Sequence, residues 1–524
     1  MVSMALPAQR PGHAGQRDNF SSTLWKLWTL LDLATSHRVL FVGDTVLAAS
    51  SSREDLGPAV ERCANASAVG ASSVPYDLIV WGPPFDRFDQ DVRTVARSLA
   101  PGGRLLLFAP NRLSLFRGRH SARALLDRHL RTLAGYREAL SKAGVHVNEC
   151  WLPWPTLEGA EEYMAAEEPK EMRMSAGVRS YFAARVRAIS HDGHVILASR
   201  TDRASGMGER IARAVGAFLG VQGPPRVTRF DLRQRGALVL LLKDAGSDQG
   251  WVGRVCRHSE VAAHLEANER IVKQLRDATT SHAQVQRFLP RPLGRLEVEG
   301  AVAWLEDRLP GTVAWRLPQR LRGVIDRGWM QFLADLEKVE ATRVDLDEHR
   351  ATELVQRWRR GTRLLPEQLD AEVSPLEDWL LRKLAGTSRR LGWSHGDFGY
   401  GNLLADRESG CLQAVIDWET GRSDEMVGID WMNMLLVGER MGGDLPAAVL
   451  GVAHRMKDRG SADEPARGLA ASIEETGIGC SADELLGLAL LRIVQREARY
   501  PSLLAESAPE FTAALRAFRT IAGY

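Results

Sequence analysis

Cysteine is scarce in this 524-residue chain: Cys63, Cys150, Cys256, Cys411 and Cys480 are scattered, with no C-x-x-C pair. That spacing argues against both a zinc site and a disulfide framework. Long apolar runs are missing too, and no stretch reaches the ~20 residues of a membrane-spanning helix. The opening residues have no apolar core of the length a signal peptide needs, so the expectation is a cytoplasmic protein with no membrane partner. Neither sign of charge is in excess. A formal net charge of +2 gives no broad electrostatic case for binding nucleic acid or an anionic surface. What is present is an ordinary globular balance, 44% hydrophobic and 26% charged, in a chain long enough for two or three cores.

The most informative stretch runs from Leu391 to Asp430. It opens with His395-Gly396-Asp397-Phe398-Gly399-Tyr400-Gly401-Asn402 and the apolar pair Leu403 and Leu404. A polar turn, Asp406 to Gly410, leads to the apolar run Leu412 to Ile416 and then Asp417. Two short strands around a turn containing Ser409-Gly410 predict a hairpin. Such a hairpin brings Asn402, before its first strand, close to Asp417, after its second. An amide oxygen and a carboxylate are hard ligands suited to Mg2+ held jointly with phosphates. Asp397, in the glycine-interrupted loop, can face the same site, where its carboxylate could orient a hydroxyl and accept its proton. The set reads as a phosphoryl-transfer centre.

These residues resemble the aminoglycoside phosphotransferase and choline kinase family, relatives of the protein kinases with a catalytic loop of the form H-G-D-x-x-x-x-N. The resemblance implies ATP and Mg2+ as cofactors and a small-molecule hydroxyl as acceptor. It makes Asp397 the catalytic aspartate, Asn402 and Asp417 the metal ligands and His395 a loop-positioning residue. Asp430, in Gly428-Ile429-Asp430-Trp431, matches the aspartate that braces the loop, although the family's usual proline is missing nearby.

Upstream, Val227 to Arg233, Ala237 to Lys243 and Trp251 to Arg257 are strand candidates for an antiparallel N-lobe sheet. No G-x-G-x-x-G occurs there, so phosphate cover cannot be argued from glycines. In such folds a cation on the third strand holds the nucleotide phosphates and pairs with a glutamate on the next helix. Arg254 stands where the family usually has lysine, and a guanidinium can grip phosphate through two parallel bonds. Lys243 is the rival cation. Glu269, with Glu266 close behind, is the expected partner on the helix Ser259 to Ala278. Ala301 to Leu305 and the turn after it match the hinge between lobes. Amphipathic helices are expected over Leu321 to Glu340 and Leu376 to Ala385. Beyond the loop the expected helices are Trp431 to Arg440, Pro446 to Arg459, Ser481 to Tyr500 and Glu510 to Ala522. Among them Glu439, Asp444, Glu475 and Glu497 are candidate cation binders, and His454 is a packing or surface residue.

The first two hundred residues alternate strands and helices, which predicts an α/β domain with a mostly parallel sheet. Arg38 to Asp44, Tyr76 to Trp81, Arg104 to Ala109 and Gly193 to Ser199 read as strands. Lys142 to Trp154 reads as a strand, and Glu158 to Met174 as a long helical insertion. This part resembles the class I S-adenosylmethionine-dependent methyltransferases through strand one ending in Gly43, the YDLIVW strand and L-A-P-G-G. It departs from them because Gly43 is followed by Asp44-Thr45-Val46-Leu47, with no second or third glycine. About thirty residues separate the first two strands, too few for the usual two strand-helix units at ordinary element lengths. Gly82-Pro83-Pro84-Phe85 resembles the P-P-F motif of amino-methylating enzymes, yet Gly82 has no side chain to hold an amine. Gly43 and Asp44 are the only candidates for cofactor contact.

The expected organisation is a disordered N-terminus (1–20), a degenerate methyltransferase-like Rossmann-type domain (21–200) and a bilobal protein-kinase-like domain (201–524). Its N-lobe spans about 225–310 and its C-lobe about 311–524. The expected activity is γ-phosphoryl transfer from ATP to the hydroxyl of an amino alcohol, aminosugar or related metabolite. Three alternatives stay open: Ser or Thr of a peptide as acceptor, a bifunctional methyltransferase-kinase using S-adenosylmethionine, and a non-catalytic nucleotide-binding scaffold.

Overall fold

The computed structural model describes residues 38–42, 60–66, 69, 74–82, 85, 87–110, 132–154, 162–165, 193–200, 207–232, 238–244, 246–247 and 249–524, the last with breaks at 257–258, 299, 358–364, 441–442, 458–463, 477–479 and 499–500. The expectations for the N-terminus, for the helix around Trp25, for Gly43 and Asp44 and for most of the linker after Thr201 lie outside these residues. By contacts the chain divides into two units. One comprises residues 1–262 and 293–308, the other 263–292 and 309–524.

The first unit is built on a single sheet. Its strands are β1 (Val39–Val42), β2 (Val60–Cys63), β3 (Tyr76–Trp81), β4 (Leu99–Pro110), β5 (His146–Trp154), β6 (Glu162–Ala165), β7 (Gly193–Ser199), β8 (Arg226–Leu232), β9 (Leu238–Lys243), β10 (Gly250–Cys256), β11 (Pro292–Val298, its first residue in the second unit) and β12 (Ala301–Asp307). Helices α1 (Phe88–Arg97), α2 (Leu133–Lys142) and α3 (Met207–Leu219) accompany it. The strand order is β11-β12-β10-β9-β8-β6-β5-β7-β4-β3-β1-β2. Parallel pairings join β2-β1-β3-β4, while β7 joins β4 antiparallel. Strands β1 and β3 and the second half of β4, Leu105 to Ala109, read as near-continuous apolar runs because both faces are covered. Helix α1 buries Phe88, Val92, Val95 and Ala96, a spacing that gives one apolar stripe on a 3.6-residue turn.

The helical insertion expected over Glu158 to Met174 is corrected in its described part. Glu162–Ala165 is a strand, pairing β5 on one side and β8 on the other. Two flanking ladders satisfy its backbone, and that outweighs the helix preference of Glu, Met and Ala.

The second unit holds most of α4 (Ser259–Ala278), then α5 (Ala283–Gln286), β13 (Thr312–Val313), α6 (Arg322–Leu336), β14 (Thr342–Leu346), α7 (Glu348–Gln356), α8 (Glu367–Leu384), β15 (Thr387–Ser394), β16 (Leu403–Ala405), β17 (Leu412–Val415) and β18 (Arg422–Met426). Helices α9 (Ile429–Arg440), α10 (Leu445–Lys457), α11 (Glu464–Thr476), α12 (Ala482–Ala498) and α13 (Pro501–Ala522) complete it. Two small sheets, β13-β16-β17 and β14-β15-β18, frame the loop between β15 and β16. Beneath the loop Trp329, Phe332, Trp418 and Trp431 are buried, and the loop's own Phe398 is buried against them. Phe332 stacks on Phe398 at 6.0 Å between centroids. This aromatic floor fixes the loop from below, as close-packed rings in a core permit little movement.

Candidate active site

Strand β15 ends on Ser394, and the loop His395 to Asn402 follows it into the hairpin of β16 and β17. Leu403 opposes Val415 across the hairpin, with a bulge at Leu404 and Ala405. The Ile416 amide donates to the Asn402 carbonyl at 2.9 Å. Asn402 and Asp417 thus lie one register step apart at the open end of the hairpin. Its turn is closed by the Asp406 carboxylate, which accepts from the Ser409 amide at 2.7 Å and the Glu408 amide at 3.1 Å, a side-chain mimic of a backbone turn.

The loop is pinned from three directions. Asp430, buried at the start of α9, accepts from the His395 amide at 2.6 Å and the Gly396 amide at 3.0 Å. Burial pushes its carboxyl above the ordinary aspartate range, and the nearby His395 and these amide donors oppose that shift without overcoming it. The His395 ring is fully buried and packs 4.6 Å from Trp418 between centroids. Its Nδ1 accepts from the Asp397 amide at 3.3 Å, so Nε2 carries the hydrogen donated to the Ile416 carbonyl at 2.8 Å. The ring therefore ties the loop to the strand end that carries Asp417. Gly396 has φ +76°, and a Cβ there would stand 2.6 Å from the Thr420 carbonyl oxygen. Only glycine fits this position without displacing backbone.

Asn402 turns its amide nitrogen inward, donating to the Asp397 carbonyl oxygen at 2.8 Å and reaching the Asp397 carboxylate at 3.5 Å. With the NH2 group so used, the amide oxygen is the atom left to serve as a ligand. Asp417 has φ +66°, a left-handed conformation tolerated by Asp and Asn at a cost of about 1–2 kcal/mol per residue. An outlier at the hairpin exit fits a functional constraint on that carboxylate. Among the described residues no group of three or more His, Cys, Asp or Glu side chains is arranged to hold a metal ion. A pair of protein oxygens suits Mg2+, which keeps waters and takes substrate phosphates as its other ligands.

Arg496 was not anticipated. Helix α12 starts with a reciprocal cap: the Glu484 amide donates to Ser481 Oγ at 3.2 Å and the Ser481 amide to Glu484 Oε2 at 3.1 Å. From that start Arg492 and Arg496, four residues apart, share one face. Arg492 is held by Glu425, Nε to Oε2 at 2.9 Å and Nη2 to Oε1 at 3.1 Å, and by the Leu354 carbonyl at 3.0 Å. Arg496 donates from Nη1 to Oδ1 of Asp397, and from Nε to Glu497 at 3.2 Å. The sequence signal is an arginine pair at helical spacing, Arg492 inside the apolar run Leu485 to Val494 and Arg496 just beyond it.

In the first unit Arg254, in mid-β10, donates through Nε and Nη2 to Glu306 Oε1 at 3.2 and 3.1 Å. Both side chains are largely buried. The carboxylate that grips Arg254 comes from β12, not from the helix α4 where the family resemblance places it. Glu269 accepts from Lys273 one turn along α4 at 2.6 Å. Lys243 ends β9 opposite Gly250, whereas Arg254 lies opposite Val239, so about 13 Å of strand separates the two cations. The other candidate carboxylates have ordinary duties. Glu439 pairs with Arg455 at 2.6 Å, Asp444 accepts from the Ala447 amide at 2.8 Å, and Glu497 receives Arg496. His454 is exposed, and the Glu475 side chain lies outside the described residues.

Residues 199–428 match the model of the APH phosphotransferase enzyme family. No curated protein matches the chain. Among solved structures, a thermostable mutant of the aminoglycoside phosphotransferase APH(4)-Ia, in a ternary complex with ADP and hygromycin B, is 14% identical, with 59% of this chain and 98% of that one covered and a TM-score of 0.39. The aminoglycoside phosphotransferase APH(3'')-Id from Streptomyces rimosus, in complex with ADP and streptomycin, is 15% identical, with 48% and 90% covered and a TM-score of 0.32. An ethanolamine kinase of Plasmodium vivax is 12% identical, with 56% and 83% covered and a TM-score of 0.34. Among the described residues no helix is long and apolar enough to cross a membrane. The chain carries an APH phosphotransferase-family domain in its C-terminal part, and with it is a kinase acting on hydroxyl groups.

Proposed function

We propose that the C-terminal part moves the γ-phosphoryl group of ATP to a hydroxyl of a small molecule, an amino alcohol, aminosugar or related metabolite, with Mg2+ required. The observation that carries this reading is the convergence of Asp397, Asn402 and the Asp417 end of the hairpin, held by Asp430 and His395. Asn402 and Asp417 would hold Mg2+, whose charge offsets that of the nucleotide phosphates. Asp397 orients the acceptor hydroxyl and takes its proton as the new oxygen–phosphorus bond forms and the bond to the β-phosphate bridging oxygen breaks. Asp430 acts through the backbone, keeping the His395 and Gly396 amides turned inward. Arg254, held by Glu306, is the proposed phosphate cation, with Lys243 its rival and Glu269 a positioning carboxylate. For the N-terminal residues the reading is a degenerate, non-catalytic α/β domain. Gly82 has no side chain for an amine.

The test is ATP turnover over a panel of alcohol acceptors, comparing the native chain with Asp397→Asn. Loss of a general base costs about 10²–10⁴-fold. Equal turnover by the two proteins, or none with any acceptor, would sink the reading.

A further inference from the structure

Between α7 and the sheet β14-β15-β18 lies a cavity of about 360 Å³, at the lower end of the roughly 300–1,000 Å³ typical of ligand sites. Val344, Leu346 and Leu391 contribute apolar surface, while Arg350, Arg357 and Arg422 face Glu353 and Asp424. Three cations thus meet two carboxylates, and one of these, Asp424, is already taken by Arg357. Asp424 accepts from Arg357 through its side chain at 3.0 Å and its carbonyl at 3.1 Å. Glu353 lies 3.8 Å from His349. Arg357 also donates to the Leu354 carbonyl at 3.3 Å, and Arg350 to the Asp345 carbonyl at 3.3 Å.

Arg422 is different. Among the described residues no hydrogen bond or ion pair engages its guanidinium, although five donors must find acceptors or water. Burial lowers its pKa, Arg357 and Arg492 add repulsion, and Glu425 and Asp424 offset this only in part. The guanidinium is half-buried, bonded to no protein acceptor among the described residues and open to a cavity with a net cationic lining, so an anion entering there would find donors held otherwise only by water.

We propose that this cavity binds a small molecule bearing an oxyanion, a phosphate or a carboxylate, with Arg422 as its principal ligand and Arg350 and Arg357 flanking it. A planar guanidinium matches either group through paired hydrogen bonds. Arg422 also lines a second, narrow space of about 20 Å³ with Gly396, Thr420 and Arg496, room for about one water. The proposed ligand thereby sits one side chain away from the loop that carries Asp397.

The experiment is calorimetric titration of the full chain with inorganic phosphate and, separately, malonate. It is run at fixed ionic strength and without nucleotide or Mg2+, so its outcome does not depend on phosphoryl transfer. Saturable binding is expected, weakened about tenfold or more in Arg422→Gln, as befits a lost charge-assisted bond, and to a smaller extent in Arg350→Gln. Arg422→Lys keeps the charge but not the fork, and is expected to bind with intermediate affinity. Phosphate alone identifies a phosphate ester as ligand, malonate alone a carboxylate, and both a general oxyanion site. Absence of saturable binding, or binding unchanged in Arg422→Gln and Arg350→Gln alike, overturns the proposal.

Discussion

Arg496, near the end of α12, donates to the Asp397 carboxylate across 99 residues of sequence. This bond fixes the rotamer of the proposed catalytic group from a helix far along the chain.

Arg496→Ala is therefore expected to lower kcat about tenfold to a hundredfold with little change in KM for ATP, since misplacing a reacting group by about 1 Å has effects of that size. Arg496→Lys restores part of the loss if positioning is the role. Steady-state kinetics of the two variants check this; a fall in KM alone would contradict it.

Asp417→Asn keeps a residue that tolerates the left-handed backbone but removes the charge offered to Mg2+. The melting temperature is expected to stay close to that of the native chain, while Mg2+-dependent nucleotide binding is lost. Asp417→Ala loses both, with a stability cost of about 1 kcal/mol for the non-polar residue at positive φ. Thermal denaturation and nucleotide titration with and without Mg2+ separate the two effects.

Gly396→Ala forces a methyl group against the Thr420 carbonyl oxygen at 2.6 Å, where φ is +76°. The backbone must shift, and with it the amides held by Asp430. Turnover is expected to fall about a hundredfold and stability by roughly 2–3 kcal/mol, the strain of the conformation plus a displaced hydrogen bond. Chemical denaturation and a turnover assay are the measurements.

Glu425 gives a pH dependence. Burial works to raise its pKa, but Arg492 and Arg357 prevail, holding it at about 2 against an ordinary 4.5. A carboxylate depressed on folding adds stability above its unfolded pKa, and this is lost as pH falls through the folded value. The contribution is about 3 kcal/mol, lost between about pH 4.5 and pH 2. Unfolding free energies across that range should show the decline. In Glu425→Gln the decline should be smaller and stability at neutral pH lower, because Arg492 is left without its charged partner.

The chemistry near residue 400 was readable because its parts are close in sequence. An apolar pair, a polar turn and an apolar run predict the hairpin, and the hairpin alone brings Asn402 beside Asp417. Asp430, 35 residues from His395, was reached by resemblance rather than spacing. Arg496 and Glu306 were not found, because bonds spanning 99 and 52 residues leave no local pattern. The sheet β14-β15-β18 was missed for a physical reason. The sequence TSRRLGWS in β15 carries two arginines, and its buried Arg389 is received by Glu484 of α12 at 3.2 Å and by the Lys383 carbonyl at 3.3 Å. Helix α8 begins at Glu367, ahead of the expected Leu376: its stripe of Leu369, Val373, Leu376, Leu380 and Leu384 runs through Pro375, which reads as a breaker.

The pairing of Tyr163 with Phe230 and of Glu162 with Asp231 has a practical side. Cutting the polypeptide near residue 200 to express the C-terminal piece alone would strip β6 from β8 and bare a row of amides and carbonyls. An exposed strand margin of that kind invites copies to zip together. A shortened protein would aggregate through β8 unless its margin were blunted, for instance by a lysine or proline on the bared side.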